Sequence, residues 1–216
     1  MASTKVTKFV EFGKKIVAVG RNFSEHAAEL GNAIPTEPII FLKPTSAYVT
    51  EGNLIKIPKN CQELHHEVEL GLVIGKMGAN IPAENAMDYI GGYALALDMT
   101  NRGHQTQLKK KGQPWSLAKG FDTSCPISDF VPKEKIPDPG AIQLWCKVNN
   151  AMRQDGNTKD MIFTIPNLIS FISEYFTLEP GDLILTGTPA GVGPVKSGDT
   201  IEAGLENVVR MSFTLA

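Results

Sequence analysis

The sequence predicts an α+β fold that is mainly β, in which short strands form a sandwich or roll with a few short helices at its periphery. The chain contains 20 glycines and 14 prolines, which favour frequent turns between short segments over a helical bundle. Stretches with helical spacing are few and short, and strand-like apolar stretches dominate. The absence of an alternating strand and helix series argues against a parallel α/β fold.

The charge balance excludes several classes of protein. The 216 residues include 21 basic and 23 acidic side chains, so the chain lacks the basic excess that nucleic-acid binders carry. Hydrophobic residues make up 42%, which is typical of a globular chain, and no apolar run approaches the ~20 residues that cross a bilayer. We therefore expect one domain over residues 1–216, with neither nucleic acid nor membrane as a partner.

Three cysteines, Cys61, Cys125 and Cys146, are too scattered and odd in number for a disulfide framework, which predicts buried thiols in a reducing compartment. Residues 1–14 are predicted to be a lead-in segment. They carry several lysines against the single acid Glu11, so an organelle-targeting segment is the alternative.

The first third of the chain shows strands separated by turn residues. A β-branched strand is predicted at 15–19. Asn22, with Glu25 three residues later, is a candidate N-cap for a helix over 23–30, and Gly31-Asn32 would end that helix. Further strands are predicted at 38–43, 54–57 and 66–74.

The middle of the chain combines an apolar strand with a polar excursion. Pro82 is predicted to begin a helix that runs to about Tyr89 and ends at Gly91-Gly92. Residues 93–99 are apolar enough for a strand that is buried on both faces. Residues 101–120 are polar, basic and interrupted by glycines, which predicts a mobile excursion.

The last third returns to strands. A strand at 142–149 and a turn at Asp155-Gly156 predict a hairpin. Pro166 would begin a helix that runs to about Phe176. The remaining strands are predicted at 182–186, 199–202 and 207–214.

Two carboxylates lie two residues apart in an otherwise apolar strand. Side chains with this spacing point to the same face, so Glu67 and Glu69 are predicted to lie side by side. At an effective dielectric constant of about 20, charges ~4 Å apart repel by ~4 kcal/mol, so something has to offset the repulsion. Asp98 offers a third carboxylate, and convergence of the three would form a site for Mg²⁺ or Mn²⁺. The alternative is that both glutamates line a solvated strand face.

Two histidines precede these acids and suggest zinc as a competing interpretation. His66 should point away from Glu67, and no cysteine spacing supports a zinc site. His65 should share the face of the two glutamates, either as a partner of a ligand or as a surface residue.

His26 and Glu29 are three residues apart on the predicted helix, so their side chains can touch. A carboxylate that binds one imidazole nitrogen raises the basicity of the other, which suits a general base. The alternative is a surface histidine with a helical charge partner.

A glycine-rich loop follows the strand at 182–186. Its spacing does not match a dinucleotide fingerprint, but its backbone N–H groups and the hydroxyl of Thr188 could approach an anionic ligand. The alternative is a tight connection between strands.

The lysines at 109–111 are typical of a solvated run, whereas Lys119 follows Trp115 and is better placed to be ordered.

Six blocks in this order resemble the fumarylacetoacetate hydrolase family, and within it the acylpyruvase subgroup. The resemblance covers nearly the whole chain. The blocks are VGRNFSEHAAEL (19–30), EPIIFLKPTSAY (37–48), HHEVELGLVIGK (65–76), LDMTNRGHQ (97–105), WSLAKGFDT (115–123) and LEPGDLILTGTPAGVG (178–193).

The resemblance implies roles for individual residues. It implies Mg²⁺ or Mn²⁺ held by Glu67, Glu69 and Asp98, and a catalytic set of His26, Glu29 and Lys119. Substrate contacts are implied for Arg21, Gln105, Lys119 and Thr188. It further implies the mixed β-sandwich roll of that family, a homodimer, a small 2-oxo acid as substrate, and a mitochondrial location with the cytosol as alternative.

The implied chemistry is the cleavage of an acylpyruvate at its C3–C4 bond by activated water, with release of pyruvate and a carboxylic acid. Oxaloacetate presents the same 2-oxo acid head, so its decarboxylation is expected as well. Residues 101–120 would be a lid over the substrate. The alternatives are a tautomerase or isomerase of 2-oxo acids, which needs no activated water, and a non-catalytic metabolite-binding protein.

Overall fold

A computed structural model describes residues 3–29, 31 and 33–216. In this part of the chain the strands are β1 Ile16–Gly20, β2 Ile39–Lys43, β3 Tyr48–Thr50, β4 Leu64–His66, β5 Val68–Ile74, β6 Ile90–Leu97, β7 Thr100–Asn101, β8 Cys125–Ile127, β9 Val131–Pro132, β10 Gln143–Val148, β11 Ala151–Asn157, β12 Leu183–Leu185, β13 Gly193–Val195, β14 Thr200–Leu205 and β15 Val209–Thr214. The helices are α1 Thr4–Thr7, α2 Phe9–Phe12, α3 Ser24–Glu29, α4 Arg102–Lys110, α5 Ser116–Lys119 and α6 Ile165–Tyr175. The predicted class, α+β and mainly β with short helices, is confirmed.

Three sheets organise the strands. The largest has the order β2-β1-β12-β5-β6-β8-β3, with β9 also paired to β6. A second sheet has the order β11-β10-β14-β15, and a third has the order β13-β4-β7. The largest sheet is mixed, because β1 pairs with β12 and β3 pairs with β8 in parallel, while its other pairs are antiparallel.

Strand β5 is buried on both faces, and the two faces have different neighbours. Leu70, Leu72 and Ile74 join a core that includes side chains of β10, β14 and α6. The opposite face carries Val73 and belongs to a smaller cluster with residues of β6, β12 and the first two helices. Glu69 lies on this second face, since side chains alternate along a strand.

The amino-terminal lead-in predicted over 1–14 is helical in its described part. Val6 and Phe9 are buried against the smaller cluster, so α1 and α2 are part of the packed structure. No helix in the described ranges has the length and apolar character that a membrane crossing requires.

The predicted capping box at the third helix is wrong. The Asn22 side chain donates to the carbonyls of Phe163 and Thr186 at 3.1 and 2.9 Å, and it accepts from the Phe163 N–H. Three long-range hydrogen bonds therefore replace the local cap. At the other end of α3, Gly31 has the positive φ of 64° that suits a helix stop, while Leu30 and Asn32 lie outside the described residues.

Several predicted boundaries differ from the structure. The strand expected at 54–57 is reduced to a single bridge between Ile55 and Leu215. The helix expected after Pro82 is a 3₁₀ segment over Ala83–Tyr89, and Gly91-Gly92 lie inside β6 instead of ending a helix. The excursion at 101–120 contains α4 and α5.

The predicted hairpin exists, but its turn lies elsewhere. Asn149 and Asn150 have φ values of 50° and 65°, so they form the turn between β10 and β11. Asp155 and Gly156 lie within β11. Sequence reasoning favoured the glycine, whereas asparagine also tolerates the left-handed conformation.

Candidate active site

The register of β5 and β6 places three acidic side chains on one face of the largest sheet. Glu69 lies opposite Ala96, and extending this antiparallel register by two residues sets Glu67 opposite Asp98. The Asp98 N–H donates to the Glu67 carbonyl at 2.8 Å. One oxygen of each acid lies within 4.8 Å of the others, so the carboxylates of Glu67, Glu69 and Asp98 converge.

All three acids are buried, with exposed fractions of 4% for Glu67, 1% for Glu69 and 1% for Asp98. The alternative of a solvated strand face is therefore wrong. Buried carboxylates require partners, because an unpaired buried charge is costly.

Lys119 is the central partner of this carboxylate cluster. Its Nζ donates to Glu67 Oε2 at 2.9 Å, to Asp98 Oδ2 at 2.5 Å and to the Thr100 hydroxyl at 2.6 Å. An ammonium group has three N–H donors, so these bonds use all of them. Lys119 is the last residue of α5, so the end of this helix places an ammonium group with all its donors used against the acids.

Two further cations complete the charge balance. The Arg102 guanidinium donates to Glu67 Oε1, and Lys43 Nζ lies 2.8 Å from Asp98 Oδ1. Within the described part of the chain, that oxygen still accepts no aligned hydrogen bond, since Lys43 donates to the carbonyls of Lys119 and Ser124. Three buried carboxylates therefore face three buried cations.

The ionisation of the two glutamates differs. Burial opposes charge on Glu67, but the positive charges of Lys119 and Arg102 outweigh it and hold its pKa well below the ordinary value. Burial and the negative charges of Asp98 and Glu67 raise the pKa of Glu69 well above the ordinary value. Burial disfavours the charged form of Lys119, yet Asp98 and Glu67 raise its pKa. Glu69 is thus the carboxylate that lacks a nearby cation of its own.

The donor set fits a hard divalent cation. Glu67, Glu69 and Asp98 offer carboxylate oxygens, the ligand type that Mg²⁺ and Mn²⁺ prefer. Asp98 Oδ1 has no hydrogen-bond donor, and Glu69 accepts only one hydrogen bond, from the Gly187 N–H at 2.7 Å, among the described residues. These three residues would hold the metal.

The histidines expected as possible zinc ligands do not join the cluster. Among the described residues, the groups that could hold a metal contain no histidine. His65 Nε2 bonds to Glu63 at 2.7 Å, and its Nδ1 accepts from Arg102. His66 Nδ1 lies 2.9 Å from Gln154 Oε1, on the other side of the strand.

His26 and Glu29 form the pair that their spacing predicts. His26 Nδ1 lies 3.2 Å from Glu29 Oε2, and His26 is buried, whereas a third of the Glu29 side chain is exposed. A carboxylate can only accept, so Nδ1 carries the proton and Nε2 is left as the base.

The loop after β12 ties the pair to the acids. Gly187 donates to Glu69, and Gly191 donates to both carboxylate oxygens of Glu29 at 3.1 and 3.3 Å. Gly187 has a φ of 97°, and a Cβ there would lie 2.7 Å from Asn22, so only glycine fits. The glycine-rich loop is therefore part of the site.

The remaining predicted residues, Gln105, Thr188 and Arg21, differ in their contacts. Gln105 is buried and accepts from Arg102 at 2.7 Å, so it joins the cluster through that guanidinium. Thr188 is buried and donates to the Val68 carbonyl at 2.8 Å. Arg21 has a left-handed φ of 58°, and its buried Nε has no hydrogen-bond partner among the described residues.

Sequence reasoning missed Lys43, Arg102 and Gln154. Lys43 ends an apolar strand at a fully buried position, and a cation in such a place signals a carboxylate partner. Arg102 and Gln154 gave no comparable signal, since their partners Glu67 and Val68 are far away in the sequence.

Comparison with known proteins matches residues 15–216 to the family model described as fumarylacetoacetate (FAA) hydrolase C-terminal. A Mus musculus protein named "Oxaloacetate tautomerase FAHD1, mitochondrial" is 58% identical over 99% of this chain and 97% of its own length. A Dictyostelium discoideum protein named "Oxaloacetate decarboxylase, mitochondrial" is 57% identical over 93% of this chain and 92% of its own.

The fold is also similar to that of a solved enzyme. The crystal structure of fumarylpyruvate hydrolase from Pseudomonas aeruginosa, in complex with Mn²⁺ and pyruvate, has a TM-score of 0.90 and 34% identity, covering 94% of this chain and 90% of that one. With the family model, the relatives and the buried acids taken together, this chain belongs to the fumarylacetoacetate hydrolase family.

Proposed function

We propose that this chain is a divalent-metal-dependent enzyme that acts on 2-oxo acids, with oxaloacetate as its main substrate. The observation that carries the proposal is the buried cluster of three converging carboxylates, which the loop after β12 links to the His26–Glu29 pair. Relatives named oxaloacetate tautomerase and oxaloacetate decarboxylase support this substrate.

The charge balance of the site favours a dianion. The carboxylates of Glu67, Glu69 and Asp98 are matched by the cations Lys43, Arg102 and Lys119. A bound divalent cation would leave a net charge of about +2 in a site of low dielectric constant, where charge neutralisation is worth most. Oxaloacetate carries two negative charges, whereas an acylpyruvate such as acetylpyruvate carries one.

When bound, a divalent cation would supply Lewis-acid polarisation of the 2-oxo group and stabilise negative charge that develops there by several kcal/mol. Lys119 adds a fixed positive charge beside the carboxylate cluster, held in place by its three hydrogen bonds. Arg21, whose Nε has no hydrogen-bond partner among the described residues, is available to bind a substrate carboxylate.

The His26–Glu29 pair moves the protons. In tautomerisation, His26 Nε2 takes a proton from C3, the electron pair moves toward the C2 oxygen, and that oxygen is then protonated. In decarboxylation, the C3–C4 bond breaks and CO₂ leaves. The electron pair of that bond stays on the pyruvate fragment as the enolate, which is then protonated at C3. Both reactions pass through negative charge on the C2 oxygen, so one site can serve both.

Acylpyruvate hydrolysis is the second candidate, because the His26–Glu29 geometry also suits water activation. There His26 Nε2 would take a proton from water, the hydroxide would add to C4, and C3–C4 cleavage would give a carboxylic acid and pyruvate enolate. The solved fumarylpyruvate hydrolase with a similar fold supports this candidate.

Three parallel assays test the proposal. The purified chain with Mg²⁺ or Mn²⁺ should accelerate the decay of oxaloacetate enol absorbance and the release of pyruvate from oxaloacetate, above a heat-inactivated control. Acetylpyruvate cleavage should be slower than the oxaloacetate reactions, and a chelator should abolish all enzymatic rates. Enzymatic rates that survive chelation would contradict the proposed metal dependence. Turnover of acetylpyruvate alone would contradict oxaloacetate as the main substrate.

Two further properties belong to this proposal. The names of the relatives support a mitochondrial location, with the cytosol as the alternative, and fluorescence microscopy of the tagged chain would distinguish them. A homodimer is expected for the family, and light scattering of the purified chain would test it.

A further inference from the structure

The hydrogen-bond ladder between β5 and β12 stops just before the metal-binding acids. Leu185 is the last residue of β12 to pair with β5, opposite Gly71. Beyond that point the chain diverges into the glycine-rich loop. Val68 still lies opposite Leu97 of β6, but among the described residues it has no strand partner on its β12 side. Its N–H and C=O are buried and still require partners.

Two side chains replace the missing strand at Val68. The Val68 N–H donates to Gln154 Oε1 at 3.0 Å, and the Val68 carbonyl accepts from the Thr188 hydroxyl at 2.8 Å. Gln154 Nε2 donates in turn to Thr188 Oγ1 at 2.7 Å and to the Pro189 carbonyl at 2.9 Å. These hydrogen bonds form a closed circuit through Val68, Gln154 and Thr188. Because Val68 lies between Glu67 and Glu69, the circuit fixes the backbone that joins two of the acids.

Gln154 reaches Val68 from another sheet, the one with the order β11-β10-β14-β15. It lies on β11, is fully buried, and follows a bulge: Cys146 pairs with Gln154 and Lys147 with Met152, which leaves Arg153 unpaired. Bulges redirect the side chains beside them. Gln154 also accepts from His66 Nδ1 at 2.9 Å, so all four hydrogen-bonding positions of its amide are used.

We propose that Gln154 is a positioning residue of the metal site, which sets the spacing of Glu67 and Glu69 by holding the Val68 peptide and the Thr188 hydroxyl. The metal part of the proposed function underlies this inference. Gln154 itself touches neither the acids nor a reacting atom, and it acts only through Val68 and Thr188.

The circuit also determines what Thr188 can do. A hydroxyl has one proton, and Thr188 gives it to the Val68 carbonyl. The Thr188 side chain therefore cannot donate to a substrate carboxylate, whereas its backbone N–H donates to none of the described residues and is free to do so.

The test compares two glutamines of one hairpin. Gln154→Met removes the circuit with little change in volume. Gln143→Met, the matched control, removes an exposed hydrogen bond to Asp155 on the paired strand. The readout is the affinity for Mn²⁺ alone, measured by titration calorimetry on protein whose fold is checked by circular dichroism. Gln154→Met should weaken Mn²⁺ binding by about 10-fold to 100-fold, the range typical of residues that orient metal ligands, and Gln143→Met by less than about twofold.

A milder variant covers the case in which Gln154→Met does not fold. Thr188→Val removes the bond to the Val68 carbonyl and keeps the side-chain shape, and it should weaken Mn²⁺ binding by about threefold to tenfold. Folded variants with unchanged Mn²⁺ affinity would overturn the role of Gln154. A wild-type chain that binds no Mn²⁺ would instead overturn the metal part of the proposed function.

A second readout needs no metal. Because Gln154 Oε1 accepts from His66, neutral His66 must carry its proton on Nδ1. Two-bond ¹H–¹⁵N correlation spectra of the wild type should show this tautomer for His66, identified by its loss in His66→Gln. The opposite tautomer would mean that the Gln154 amide is reversed, which would break the circuit.

Discussion

The two halves of the site are held by different kinds of structure. The carboxylate cluster lies on paired strands of the largest sheet, and its side chains are almost fully buried. The His26–Glu29 pair lies on α3, a helix of six residues, and its long-range tie to the loop is the contact from Gly191 to the partly exposed Glu29. The backbone on both sides of the acids is fixed by strand pairing, whereas the pair is held by one short helix and by the contact from Gly191.

This difference suggests a division of labour. Under the proposed function, the carboxylate half would bind the metal and the common head of 2-oxo acids, while the short helix would supply the proton transfer that separates one reaction from another. Variants in the two halves should therefore fail in different ways, and the following predictions are ordered from the largest expected effect to the smallest.

Glu69→Gln tests the carboxylate half. The amide still accepts from the Gly187 N–H, but a ligand charge is lost, so Mn²⁺ binding should collapse and turnover of oxaloacetate should fall by about 10³-fold or more. Metal-free protein should not be destabilised, because burial and the charges of Asp98 and Glu67 raise the pKa of Glu69 and disfavour its charged form. Calorimetry and thermal unfolding check both points. Glu174→Gln, at an exposed position of α6, is the control. Full activity in Glu69→Gln would remove the metal mechanism.

His26→Gln tests the acid–base half. Loss of the base should lower turnover by about 10²-fold to 10⁴-fold, while Mn²⁺ affinity stays within about threefold of wild type. Separate assays of enol decay, decarboxylation and acetylpyruvate cleavage would show which reactions need the ring. His104→Gln, on α4, is the control. A parallel loss of Mn²⁺ affinity would contradict the division between the two halves.

Glu29→Gln should have a smaller effect than His26→Gln. The amide oxygen can still accept from His26 Nδ1 and from Gly191, so the geometry persists and only the negative charge that would stabilise the imidazolium formed during proton transfer is lost. We expect turnover to fall by about tenfold, with a small change in KM. Steady-state kinetics check this, and a loss as large as that of His26→Gln would mean that Glu29 itself transfers the proton.

Lys109→Met should produce the smallest effect and a dependence on pH. Burial and the positive charges of Arg21, Arg102 and Lys119 lower the pKa of Lys109 from 10.5 to about 8, against a weaker opposite effect of Glu67. The charged lysine therefore opposes folding below pH 8, and this opposition fades between pH 8 and 10.5. Lys109→Met should stabilise the protein at pH 7 by up to about 1 kcal/mol, since solvent screens this half-exposed group.

Urea unfolding of Lys109→Met and wild type at pH 7 and pH 10.5 measures this difference. The advantage of the variant should disappear at the higher pH. An equal advantage at both values would mean that it comes from packing of the methionine beside Trp115, over which Lys109 lies at 5.3 Å, and not from the lost charge.

The sequence by itself determined the fold class and the local pairs. Alternation places Glu67 and Glu69 on one face, and helical spacing brings His26 to Glu29, because both relations span only two or three residues. Elements with strong local patterns, such as β1, β2 and α6, were predicted close to their true bounds. The local cap at Asn22 and the turn at Asp155-Gly156 were wrong, since long-range hydrogen bonds and Asn149-Asn150 prevailed.

Only the tertiary structure decided how the site is assembled. The antiparallel register sets Asp98 opposite Glu67, α5 brings Lys119 to both, and β11 delivers Gln154 to the peptide between the glutamates. These partners are separated by 21 to 86 residues, and no periodicity of the chain relates them. Strand register and sheet packing carry that information, because the free energy that selects them comes from burying whole faces and not from any single pair of residues.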